Sequence, residues 1–226
     1  MLEPLQISVD YQKKRVIVDD KGRHRRLRLL IKKLNKERKK QAKKIDILCN
    51  DFIVVQRDFI KGLNTISFTA NFYESIIGTT DLGSLLYTAV KLFKEKNADA
   101  NVTFFLRQAE TFELHMFEGD QPISLGKQQL ENCFSAELMD NICKSNRICT
   151  LDDMFAMGLQ GNLIGLNKIS AVTIPLGLLG SSVGFILIYR SSENKLTTNE
   201  VSNISGVTCG LSRAIQSCQA LLHSSD

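Results

Sequence analysis

The 226-residue chain is 43% hydrophobic and 23% charged, with only 3 prolines and 14 glycines. That composition excludes a disordered, collagen-like or fibrous protein, and the length suffices to bury a core without disulfide or metal staples. The net charge of +5 is uneven: residues 21–44 hold 13 Lys/Arg against one acid, Glu37, whereas the other 202 residues hold 16 Lys/Arg against 23 Asp/Glu. A basic segment joined to a mildly acidic body points to nucleic acid, anionic lipid or an acidic partner, with a solvated helix face as the plain alternative.

Residues 1–20 form a short N-terminal segment. Its runs LQISVDY and RVIVDD are β-rich and flank Gln12, Lys13 and Lys14, which predicts a hairpin over 5–18. A long basic helix is predicted over 21–77. A heptad frame starting at Ile31 puts Ile31, Arg38, Ile45, Phe52, Phe59, Ile66 and Tyr73 at position a. It puts Leu34, Gln41, Leu48, Val55, Gly62, Thr69 and Ile76 at d, and ten of these fourteen positions are apolar. Such a seam predicts a coiled coil and hence a homodimer, with a helix packed on its own domain as the alternative. Proline is absent from the whole stretch, so nothing forces a break.

Residues 78–226 read as a separate domain. Gly78-Thr79-Thr80-Asp81 ends one helix and caps the next, whose stripe is Leu82, Leu85, Leu86, Ala89, Val90 and Phe93. VTFFLRQ (102–108) and FELHMFE (112–118) predict paired strands. A helix is predicted over 128–144, then a short strand over 147–151 and a loop over 152–167. Residues 169–189 carry no charge across 21 positions, the length of a membrane span. Pro175, Gly177, Gly180, Ser181, Ser182 and Gly184 divide them, so a hairpin of 169–176 and 183–190 is expected instead. Thr197-Thr198-Asn199-Glu200 reads as a capping box opening a last helix with Val201, Ile204, Thr208, Leu211, Ile215, Cys218 and Leu222 on one side. Strands in hairpins beside helices make the class α+β with an antiparallel sheet.

Four features carry a family resemblance: Asp81-Leu82-Gly83-Ser84-Leu85-Leu86, Arg147 to Asp153 (RICTLDD), Ile174-Pro175-Leu176 with Gly184-Phe185-Ile186-Leu187, and Leu196 to Glu200. In this order and spacing the chain from Asp81 to Leu222 resembles the GAF domain, a relative of the PAS fold found in sensory and regulatory proteins. The resemblance implies a central antiparallel sheet. The first and last helices would lie on one face, usually in a dimer bundle, and a small-molecule pocket on the other. It also implies a signalling role rather than catalysis. The family's special ligands do not transfer. Asn194-Lys195-Leu196-Thr197-Thr198-Asn199-Glu200 lacks the Phe and Asp of the cyclic-nucleotide signature. No Cys-His dipeptide exists for a bilin. Residues 151–168 lack the cysteine of the sulfoxide-reductase branch, and only His115 is available as a haem ligand in the core region.

The residues themselves suggest two sites. Phe105, Arg107, His115, Phe117 and Phe155 would face a pocket: Arg107 offers forked donors to an anion, and His115 titrates near neutrality. Arg25, Arg28, Lys32, Lys33, Lys36, Lys39 and Lys40 would face a polyanion or an effector protein. The run has no aromatic residue for base stacking and no helix-turn-helix or zinc finger, which disfavours sequence-specific nucleic-acid recognition. It has no Trp to enter a lipid interface. No catalytic set, metal site or cofactor is expected. Gly180-Ser181-Ser182-Val183-Gly184 matches a nucleophile elbow in letters but precedes a strand rather than a helix. Six cysteines without a Cys-x-x-Cys, after an N-terminus unlike a signal peptide, predict reduced thiols and a cytoplasmic protein. Cys133, Cys143 and Cys149 are candidates for redox sensing, against the simpler reading of apolar fillers.

Overall fold

The structure is a computed structural model and describes residues 4–109, 111–117, 125–161, 166, 168–178 and 181–223. The chain divides into two units, Met1–Gly62 and Leu63–Asp226.

Helix α1 spans Pro4–Ile76. It overturns the hairpin expected over 5–18. An isolated two-stranded hairpin is marginal, whereas extending an existing helix adds a hydrogen bond for each residue fixed. Proline is well placed at a first helical position, where its missing N–H costs nothing. In the first unit every side chain from Lys21 to Gly62 is exposed. The seam residues are among them: Leu34 is 65% exposed, Phe52 68% and Phe59 65%.

The second unit opens inside α1, earlier than the boundary expected at Gly78, because Phe68, Phe72 and Ile76 are core residues. Helix α2 (Leu82–Lys96) starts where predicted, and the Ser84 backbone N–H donates to Asp81 Oδ2 at 2.7 Å. Strands β1 (Asn101–Gln108) and β2 (Thr111–Met116) form the first hairpin. The single helix expected over 128–144 is two, α3 (Lys127–Cys133) and α4 (Ala136–Ser145). Ser135 breaks it by capping α4, accepting from the Leu138 N–H at 3.3 Å. Strand β3 is only Cys149–Thr150, and the expected loop begins as helix α5 (Leu151–Ala156). Thr150 and Asp153 form its capping box, with the Thr150 N–H donating to Asp153 Oδ2 at 2.8 Å. Strands β4 (Ile169–Leu178) and β5 (Ser181–Ser191) are the hairpin predicted in place of a span. Among the described residues no helix is long and apolar enough to cross a membrane. Helix α6 (Thr198–His223) closes the chain behind the predicted Thr197–Glu200 box: the Glu200 N–H donates to Thr197 Oγ1 at 3.3 Å, and the Thr197 N–H to Glu200 Oε2 at 2.6 Å.

The five strands form one sheet in the order β2-β1-β5-β4-β3, every pair antiparallel. Both faces are covered, which explains why β1 and β5 read as near-continuous apolar runs instead of alternating. Val102, Phe104, Leu106, Ile186 and Ile188 join the core made with α1, α2 and α6. Phe105, Phe185, Leu187 and Tyr189 join the core made with α3, α4 and α5. The stripe predicted for the last helix is the one that packs inward: Ile204, Leu211, Ile215 and Cys218 are buried. Helix α6 also meets the end of α1, where Thr65 Oγ1 donates to Asn203 Oδ1 at 2.9 Å.

Candidate functional site: the sheet face under α3–α5

The strand pleat brings Phe105 of β1 and Phe185 of β5 side by side under α3. Their rings stack at 4.7 Å, and Phe134 lies 4.9 Å from Phe105. Three aromatic side chains thus occupy the centre of the face where the resemblance implies a ligand. Beside them a cavity of about 20 Å³ remains, lined by Leu125, Leu130, Met154, Leu166, Ile169 and Tyr189 among others. That is room for about one water molecule. The lining is apolar apart from the Tyr189 hydroxyl, which accepts from the Leu125 N–H at 3.1 Å. Among the described residues, this apolar space by itself is too small for more than a water-sized occupant.

The predicted pocket residues do not converge on this cavity. Phe105 belongs to the core on this face, and Phe155, partly buried, packs against that core. Arg107 of β1 makes an ion pair with Asp140 of α4, and its guanidinium carbon lies 4.8 Å from the centre of the Phe112 ring. His115 and Phe117 are set against the other face. Alternation along β2 gives the α3–α5 side to Phe112, Leu114 and Met116, and His115 pairs in register with Phe104. Phe117 packs edge-on against Phe104 at 6.4 Å, and His115 Nε2 lies 3.3 Å from Glu113 Oε2. The five residues are thus divided between the two faces of the sheet.

All six cysteines are free, with Cys143, Cys149 and Cys218 buried. Burial pushes the Cys133, Cys143 and Cys218 thiols up, in the Cys143 case against opposing contacts from Ser182 and Arg107. A reactive thiolate needs the reverse shift. Ser182 lies within strand β5, so the nucleophile-elbow geometry is absent there.

The most elaborate polar cluster was not singled out in the sequence. Arg190, at the end of β5, is 3% exposed. Its Nη1 donates to Asp99 Oδ1 at 3.2 Å and Glu200 Oε1 at 3.1 Å, and its Nη2 to Glu200 Oε2 at 2.9 Å and the Lys195 carbonyl at 2.6 Å. Burial alone would raise the Glu200 carboxyl. Hydrogen bonds from Thr197 and Arg190 outweigh it and hold that carboxyl below the usual range. The cluster ties β5, the α2–β1 loop and the start of α6 together as a structural pin, with both terminal guanidinium nitrogens engaged and only the buried Nε left without a partner. Only the letters Thr197 to Glu200 signalled it, through the capping box.

The basic residues Arg25, Arg28, Lys32, Lys33, Lys36, Lys39 and Lys40 are all exposed on α1. Lys40 pairs with Glu37 at 3.1 Å, the one acid of the run.

The sheet order, the helix pair with the end of α1 on one face and the short helices on the other define a GAF-like fold. The chain is similar to the GAF domain of a phosphoenolpyruvate-protein phosphotransferase from Coxiella burnetii, with a TM-score of 0.52 and 14% identity over 70% of this chain and 96% of that one. It is similar to the GAF domain of the Acinetobacter phosphoenolpyruvate-protein phosphotransferase, with a TM-score of 0.50 and 16% identity over 69% of this chain and 94% of that one. At these identities the likeness is one of fold. No protein-family model and no curated protein sequence matches the chain.

Proposed function

We infer that this is a non-enzymatic regulatory module of the sensory GAF type that works as a homodimer joined through α1. One observation carries the reading. From Ile45 to Ile66 the helix presents Ile45, Leu48, Phe52, Val55, Phe59 and Ile66 to solvent. Burying one such side chain is worth about 1.5–3 kcal/mol, so six left open on a single helix are a strong drive to pair. Their a/d spacing suits a second copy of the same helix. In the second unit the residues that pack inward are Phe68, Phe72 and Ile76, while Leu63 and Ile66 remain exposed. The helix therefore has one face for its own domain and another for a partner.

The aromatic packing of Phe105, Phe134 and Phe185 under α3 favours a scaffold in which helix pairing and partner contact, not a small molecule, carry the signal. Six unbridged thiols fit a reducing cytoplasmic setting. The test is the solution mass. The intact protein is expected to sediment as a dimer, and Phe52→Glu with Phe59→Glu as a monomer of unchanged helicity. A monomeric wild type would overturn the dimer. Native mass spectrometry checks the pocket: a retained small-molecule mass would restore the ligand-sensor reading.

A further inference from the structure

The cations of the first unit are sorted around the helix. At about 100° per residue, eleven of the 13 Lys/Arg between Lys21 and Lys44 fall within an arc of about 160°, and only Arg23 and Arg38 lie outside it. Leu27, Leu30, Ile31 and Leu34 lie on the opposite side, in line with Ile45 and Leu48 farther along, and of the exposed leucines in the run Leu29 alone falls within the basic arc. Within the arc the cations come as adjacent pairs one heptad apart: Arg25 with Arg26, Lys32 with Lys33, and Lys39 with Lys40. All six side chains are exposed.

We propose that this face is a phosphate-backbone binding surface for duplex DNA, seated along the major groove. Three features of the placement favour it. The basic stretch of 24 residues is about 36 Å long at 1.5 Å per residue, enough to traverse a major groove about 12 Å wide and carry cations past it at both ends. Each heptad step advances about 10.5 Å along the axis, so the three pairs meet the groove at regular intervals. The arc spans both flanks of the helix, and a major groove about 12 Å wide offers phosphates on both walls. The deep, narrow major groove of A-form RNA does not admit a helix. A membrane surface fits less well. An interfacial helix buries its apolar side, and the cations that reach headgroups flank that side. Here they sit behind it, aimed away from any surface the leucines would enter. With no aromatic residue and no acid besides Glu37 in the run, the surface reads charge and groove shape, not base sequence.

The surface needs only the exposed helix, while the dimer reading explains what covers the opposite leucine side. The experiment keeps the two apart by measuring mass and binding on the same samples. Fluorescence anisotropy with a mixed-sequence 20-bp DNA duplex is run from about 50 to 200 mM salt, beside phosphatidylserine vesicles and an RNA duplex of equal length. Six phosphate contacts predict a log–log salt slope of about −5. The full-length variant K32E/K33E/K39E/K40E should lose about 100-fold in affinity. The variant K32A/K33A/K39A/K40A, which keeps the best helix former at each position, should lose affinity in the same direction with unchanged circular dichroism. K91E/K168E in the second unit should bind as wild type. Unchanged binding in both quadruple variants overturns the proposal, as does vesicle binding without duplex binding or a preference for the RNA duplex. A monomeric mass with duplex binding intact overturns the dimer alone.

Discussion

Gly184 and the two glycines of α6 show how single residues set the packing. Gly184 has φ +142°, and a Cβ there would sit 2.0 Å from the Phe105 carbonyl oxygen on the neighbouring strand. Gly184→Ala should cost about 3 kcal/mol, lowering Tm by about 6–12 °C in a unit of this size. On α6 two glycines one turn apart should respond with opposite signs. A Cβ on Gly206 meets nothing, whereas one on Gly210 would be 2.1 Å from the Tyr73 ring. Gly206→Ala should therefore stabilise by about 0.5–1 kcal/mol through reduced chain entropy. Gly210→Ala should destabilise by prising α6 from the end of α1, and thermal melts of the pair check the contrast. Neither sign is legible in the sequence, where both are helix-interior glycines.

At the scale of elements, Arg190 is the test of how β5, α6 and the α2–β1 loop hold together. Arg190→Ala removes the buried cation that links Glu200, Asp99 and the Lys195 carbonyl and should cost about 1–3 kcal/mol, since both acids are partly exposed and keep other donors. The pH dependence has a definite sign. The Glu200 carboxyl is held low in the folded state, so the unfolded chain binds the proton more readily. Its contribution is complete above the ordinary glutamate value of the unfolded chain and is lost as pH falls through the lower folded value. Glu200→Gln should flatten urea-measured stability over that acid window. Elements with strong local signals were readable in advance: the Asp81 cap, the Thr197–Glu200 box, and the β4–β5 hairpin marked by Pro175 and Gly177. The elements missed had weaker ones. Ser135 is a cap in the middle of an apolar stripe, and Thr150–Asp153 opens a helix of only six residues. The segment 5–18 carries strand-like letters but has no sheet to join.

The whole molecule combines a bare helix with a domain that has its own core. Both buried clusters lie within Leu63–Asp226. A fragment of residues 63–226 should therefore unfold cooperatively near the intact protein's Tm while losing most of the dimer. A fragment that fails to fold would place part of the core's stability in the first unit. The charge division follows the same line: the first unit holds 18 Lys/Arg against 8 Asp/Glu, and the second 11 against 16.

Local rules decided what the sequence determined by itself: a long basic helix with an apolar seam, an antiparallel α+β domain, its caps and its hairpins. Each depends on neighbours within a turn or a strand pair, where side-chain period and capping chemistry act. Tertiary structure alone decided which sheet face each candidate residue occupies. His115 went to one side and Phe105 to the other because they sit at opposite phases of paired strands. It also brought together Phe105, Phe134 and Phe185, residues 29 to 80 positions apart in the chain, on the sheet face under α3. It gave Arg190 its partners, one of which is 91 residues away. A side chain's letter fixes its chemistry, but the volume around it and the charges facing it come from distant segments, and those decide whether a cavity is filled and a cation paired.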